Sequence, residues 1–217
     1  MPWNYSTVMV MSIPYERTGR TRQKARTRNA LIQAAREQLG EGITPTVEQA
    51  ADFAQVSRTT AYRYFPNQRA LITATFPQIA AASLLPDPAP EDPAARLDAV
   101  AEALARLAIE HEPELRAQLR LSLEHDGGER RDLPFRTGRG IAWIEEALAP
   151  LRGPMHEPEL RRLVLAVRTA VGIEALVWLT DIAGLSREEA ADLMRWSASA
   201  LLQAALAGQA AADGPAA

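Results

Sequence analysis

The chain has 217 residues, 47% of them hydrophobic, enough to bury the core of one large domain or two modest ones. It contains no cysteine, which excludes disulfides, thiolate metal sites and cysteine nucleophiles, and no apolar run of about 18 residues that would mark a membrane-spanning helix. The net charge of −3 hides an asymmetry: residues 16–69 carry a balance of +5 and the remainder −8, so a basic N-terminal segment precedes an acidic body.

Residues 1–19 lack periodicity and contain Pro2, Pro14 and Gly19; they read as a flexible arm. They show neither a basic leader nor a clear apolar stretch after it, so a signal peptide is not expected, and the absence of cysteine fits a cytoplasmic location. A basic run follows, with Arg20, Arg22, Lys24, Arg26 and Arg28 in nine residues, and leads into Ala30, Leu31, Ala34, Ala35 and Leu39 at helical spacing. Gly40 and Gly42 stop that helix. Thr46 then caps a short helix over 47–53, with Glu48 and Gln49 where a capping-box partner belongs. Ser57 caps a second short helix, ended at Tyr64 by Pro66, and Asn67 opens the next. The first folded domain is placed at 20–78.

Four prolines in residues 86–93 mark a surface loop, and the second domain is placed at 79–208. Its apolar stripes are Leu97, Val100, Leu104, Leu107 and Ala108; Leu115, Leu119 and Leu123; Ile141, Ile144, Leu148 and Leu151; and a long one from Leu160 through Val171 to Leu179. Ser186 and Glu189 have capping-box spacing and start a final helix ending near Gly208, with 209–217 a disordered tail. No segment alternates with period two. The expected fold is all-α with about nine helices: a three-helix helix-turn-helix domain, then a helical body.

Two short helices joined by a few residues are the geometry of a DNA reader. Val47, Ala50, Ala51, Ala54, Val56 and Ala61 are small and apolar, which lets the two helices cross closely. The second helix then presents Arg58, Thr59, Thr60, Tyr62, Arg63 and Tyr64, which are hydrogen-bond donors and rings without a carboxylate. Arg reads guanine and a Thr methyl meets thymine. The competing reading of the same pattern is a plain helical hairpin of the core.

The run Val56-Ser-Arg-Thr-Thr-Ala-Tyr-Arg-Tyr-Phe-Pro-Asn67, followed by Ala70-Leu71, resembles the signature of the TetR family of transcriptional repressors. The likeness covers about 21–76, a quarter of the chain. It implies base contacts by Arg58, Thr59 and Thr60, phosphate contacts by Tyr62 and Tyr64, and a groove or backbone contact by Arg63. It places Thr46 against a phosphate, Ser57 at the head of the reading helix, and Arg22, Lys24, Arg26 and Arg28 along the backbone or minor groove. Two positions depart from the pattern. Gln55 stands where the family usually has glycine, and a left-handed conformation would cost Gln roughly 1 kcal/mol or more. Gln68 stands where a phosphate-binding lysine is common.

The resemblance further implies a dimeric repressor on a palindromic operator, released by a small-molecule effector, with the last two helices (158–180 and 187–207) pairing with a second copy. An orphan regulator without a ligand is the alternative. Candidate effector-lining residues are Leu104, Leu107, Arg116, Leu119, Leu123, Phe135, Trp143 and Trp178. No catalytic constellation, cofactor, metal site or membrane partner is expected; His111, His125 and His156 lack metal-ligand spacing.

Overall fold

The computed structural model of the chain describes residues 15–76, 82–123 and 139–212, and every regular element in them is helical. Ten α-helices follow in order: α1 Tyr15–Gly40, α2 Val47–Phe53, α3 Arg58–Tyr64, α4 Gln68–Thr75, α5 Pro93–Glu110, α6 Glu112–Leu123, α7 Arg139–Ala147, α8 Glu157–Ala170, α9 Ile173–Val177 and α10 Arg187–Ala212. A 3₁₀ turn at Ala149–Leu151 follows α7, and a π-helical turn at Trp178–Ile182 extends α9. No single helix among them is long and apolar enough to cross a membrane.

Helices α1 to α4 form a head with its own core: Leu31, Ile32 and Ala35 from α1, Val47, Ala50 and Ala51 from α2, Ala61 from α3, then Phe65 and Leu71. Helices α5 and α7 to α10 share a larger core that includes Leu97, Val100, Ile144, Leu148, Val164, Leu176, Met194 and Leu202. Helix α6 joins the two. Its Ala117 and Leu121 pack on Leu39 of α1 and Ile72 of α4, and Arg69 Nη2 of α4 donates to the Leu121 carbonyl at 2.9 Å.

The helices stand largely where their start signals place them. Thr46, Ser57, Asn67, Asp92 and Ser186 each accept a backbone N–H three residues on, which satisfies a donor that the first turn leaves free. Thr46 with Gln49 and Ser186 with Glu189 complete the reciprocal capping box.

Four expectations need correction. Residues 15–19, expected in a flexible arm, belong to α1, which begins at Tyr15 and takes in the basic run 20–28; no proline interrupts it, and Arg, Lys, Gln and Ala are good helix formers. The long helix expected over 158–180 breaks at Gly172, whose φ of 135° lies outside the reach of other residues. Arg168 Nη1 covers the break, donating to the Val171 carbonyl at 2.9 Å, and a Cβ on Gly172 would lie 2.7 Å from that nitrogen. Helix α10 runs through Gly208 to Ala212. On α6 the buried residues are Glu112, Ala117, Gln118, Leu121 and Ser122; Leu115 is half-buried against the body core and Leu119 half-buried, but Leu123 is 64% exposed, so the Leu115–Leu119–Leu123 stripe does not carry the deepest burial and its last residue turns outward.

Candidate nucleic-acid interface

Helix α1 ends and α2 ends in the same way. After α1, the Gly42 N–H donates to the Leu39 carbonyl and the Ile43 N–H to the Gln38 carbonyl, with Gly42 at φ 81°. After α2, the Gln55 N–H donates to Asp52 and the Val56 N–H to Ala51, with Gln55 at φ 53°. Both are paired C-terminal bonds closed through a left-handed residue. The conditional cost attached to Gln55 therefore applies: an L side chain occupies the conformation that glycine adopts freely. Among the described residues Gln55 is the only non-glycine with positive φ.

This turn lets α3 cross α2 closely. Ala50, Ala51 and Ala61 have no exposed surface, and Val56 and Tyr64 pack at the edge of the same cluster. The outward side of α3 carries Arg58, Thr59, Tyr62 and Arg63, all exposed. Thr60 is half-buried, its hydroxyl oxygen accepting from Ser57 Oγ at 2.8 Å, so it serves the cap. Tyr64 is half-buried against the head core, with the Arg63 guanidinium 5.8 Å above its ring. The six candidates thus divide into four on the open face and two that help hold it.

Two acidic side chains of α2 reach this face. The Tyr62 hydroxyl donates to Glu48 Oε1 at 2.5 Å, and Arg58 Nη2 donates to Asp52 Oδ2 at 3.4 Å. The Tyr62 hydrogen bond holds the Glu48 carboxyl below its usual range, and Glu48 in turn raises the Tyr62 phenol. Neither acid was singled out from sequence for this role, because the pairs form only across the helix crossing.

Thr46 is exposed beside this face with its hydroxyl committed to the cap. Gln68 does not project outward. Its Nε2 donates to the Thr44 and Pro45 carbonyls at 3.2 and 3.0 Å, bracing the strand of chain that leads into α2. An amide meets two carbonyls there that an outward-reaching lysine would leave. Arg22, Lys24, Arg26 and Arg28 are all exposed on α1. On a helix, residues two apart point about 200° apart, so Arg22 with Arg26 and Lys24 with Arg28 form two rows on opposite sides. Arg28 lies nearest the core of the head, 5.5 Å above the Phe65 ring.

The candidate effector residues are dispersed. Leu104 and Leu107 are half-buried against the body core, Trp143 is buried within it, and Leu119 is half-buried on α6. Trp178 is 58% and Leu123 64% exposed, and Phe135 lies outside the described residues. Arg116 is committed: Nε donates to Glu112 Oε1 at 2.7 Å, Nη1 and Nη2 grip Asp181 at 2.6 and 2.7 Å, and Nη2 also reaches Thr180. Arg187 Nε takes the other Glu112 oxygen at 2.6 Å. Burial opposes ionisation of Glu112, but the Arg187 and Arg116 hydrogen bonds outweigh it and keep the carboxyl low. Arg116, followed by Thr180, pulls Asp181 down to about 2. A cleft of about 520 Å³ between the end of α1 and α6 includes Arg116 but none of the other seven candidates.

Sequence reasoning passed over Gln118, the residue of α6 with the most unusual surroundings. It is 2% exposed, and neither end of its amide meets a hydrogen-bond partner among the described residues. A buried amide without partners is costly, about 1–3 kcal/mol. The helical period alone, once the inward face of α6 is known, finds it.

No protein-family model matches this chain, and no curated protein matches it in sequence. The resemblance to a repressor family therefore rests on the sequence over about 21–76 alone.

Proposed function

We propose that the chain is a DNA-binding transcriptional regulator of the TetR type, acting as a dimeric repressor on a palindromic operator. The observation that carries this reading is α3: a short, side-chain-capped helix, crossed closely over α2, with Arg58, Thr59, Tyr62 and Arg63 exposed on one face. Cationic and hydroxyl donors on a protruding helix fit a major groove, and the basic rows of α1 supply sequence-independent phosphate attraction.

A second copy would dock on the apolar residues left exposed on α8, on the turn that extends α9 and on α10. Trp178, Ile182 and Trp196 are 58%, 72% and 67% exposed, with Leu165 and Leu193 also open. Large exposed apolar side chains in this number favour a protein partner. Leu176, Ala198 and Leu202, by contrast, serve this chain's own core. Two-fold pairing would set two α3 helices against a palindrome.

Release by a small molecule is the reading that the family resemblance implies. The dispersal of the expected lining residues and the saturated Arg116 favour the second reading, a regulator that works without a ligand. A thermal-shift screen separates them, since a compound that binds only the folded state raises its melting temperature.

The test of the main reading is selection from a randomised DNA pool. Repeated rounds with the full-length protein should enrich a two-fold symmetric sequence. A pool that stays random after many rounds would remove the DNA-binding assignment.

A further inference from the structure

The acidic side chains of α2 and the donors of α3 form two parallel rungs. Glu48 and Asp52 lie four residues apart on one face of α2; Arg58 and Tyr62 lie four residues apart on the facing side of α3. Asp52 takes Arg58, and Glu48 takes Tyr62. Three of the four side chains are exposed and Glu48 is half-buried, so the rungs stand at the rim of the head rather than in its core. Exposed pairs of this kind add little to stability, which leaves them free for another use.

We propose that Glu48 and Asp52 set the selectivity of the reading helix, by discriminating against phosphate and in favour of base edges. This inference rests on the DNA-binding reading above. A phosphate carries a full negative charge, whereas the acceptor edge of guanine is a neutral dipole. A carboxylate beside Arg58 or Tyr62 therefore repels the first far more than the second. The geometry allows the distinction. Asp52 engages Arg58 through one nitrogen only, and a guanidinium has five N–H donors, so an edge of the fork stays available for a base. The single Tyr62 hydroxyl proton is already given to Glu48, so a phosphate has to take it from a carboxylate. Binding to arbitrary DNA is mostly phosphate contact, and it bears this cost in full. A cognate site recovers it through the bases.

The experiment compares the wild type with the Glu48→Gln/Asp52→Asn double variant by fluorescence anisotropy at fixed salt. Two probes are used, the symmetric duplex recovered from selection and the unselected pool of the same length. Both substitutions keep shape and an acceptor oxygen, and a melting curve by circular dichroism checks the fold. The expected result is that the unselected pool binds about tenfold tighter while the selected duplex gains less, so the ratio of the two affinities falls. The single Glu48→Gln variant should move the ratio in the same direction by a smaller factor. A ratio that stays constant or rises in a folded variant overturns the inference, even if both affinities change. A wild type that binds neither probe is a different failure and removes the DNA-binding reading itself.

Discussion

Helices α2, α3 and α4 of the head have seven, seven and eight residues, whereas α5 and α10 of the body run for 18 and 26. Isolated helices below about 12–15 residues are marginal in water, so the short ones depend on their ends. Each of the three begins with a side chain that accepts a backbone N–H: Thr46, Ser57, Asn67. Their mutual core is built largely from alanine, which buries little area but permits close approach. The body works the other way. Its helices are held by leucines, valines and Met194 in one continuous core. The head is thus specified by local chemistry and close fit, the body by buried area, and the Leu39–Ile72–Ala117–Leu121 cluster, the Arg69 bond and the edge-on contact of Phe76 with His111 join them.

That contrast can be broken at several points. Leu148, fully buried in the body, should be the most damaging truncation: Leu148→Ala is expected to cost about 2–5 kcal/mol, read from chemical denaturation. Next comes Ala61→Leu at the α2–α3 crossing. Overpacking there should cost about 1–3 kcal/mol. Hydrogen exchange should show protection lost in the head while amides of α5 and α10 keep theirs. Equal loss in both regions would mean that the two cores are a single cooperative unit.

Gln55→Gly should go in the opposite direction and stabilise the head by about 1 kcal/mol, because it removes a side chain from a left-handed residue. The glycine already present in the matching turn at Gly42 is the internal control. The smallest effect is electrostatic and belongs to the body. Asp181 ionises at about 2 in the folded chain, below its ordinary 3.8, because Arg116 grips it. A lowered folded value gives stability that is fully present above the unfolded value and lost as pH falls through the folded one. Asp181→Asn should therefore melt earlier than the wild type at neutral pH, with the gap closing between about 4 and about 2. A gap independent of pH would show that the Asp181 charge is idle.

The same contrast explains what could be read from sequence. Thr46, Ser57, Asn67 and Ser186 announce their helices because a cap and its partner are three residues apart, inside one short window. The left-handed turn at Gln55 was legible as a condition, since its neighbours match a pattern that usually has glycine there. The break at Gly172 was not. Apolar residues continue at helical spacing on both sides, through Val167, Val171 and Leu176, and only the Arg168 guanidinium over the gap reveals the arrangement. The start of α1 at Tyr15 was not legible either, because residues 15–28 carry no apolar stripe and helix propensity is a quieter signal than periodicity. The leucine stripe of α6 shows only one of its two packed sides; Ala117 and Leu121 are buried on the other, against the head, with Gln118 buried beside them, and small and polar residues there give no apolar pattern. The Glu48–Tyr62 and Arg116–Asp181 pairs join residues 14 and 65 positions apart, separations that no local rule spans.

The central claim is that the open face of α3 reads DNA, and Arg63 tests it most directly. Arg63 is exposed, with its guanidinium over the ring of Tyr64, so Arg63→Ala should leave the fold undisturbed. Measured in a mobility-shift assay against the duplex recovered by selection, with Tyr62→Ala beside it, binding should be lost while helicity and oligomeric state stay as in the wild type. Undiminished binding by both folded variants would contradict the account.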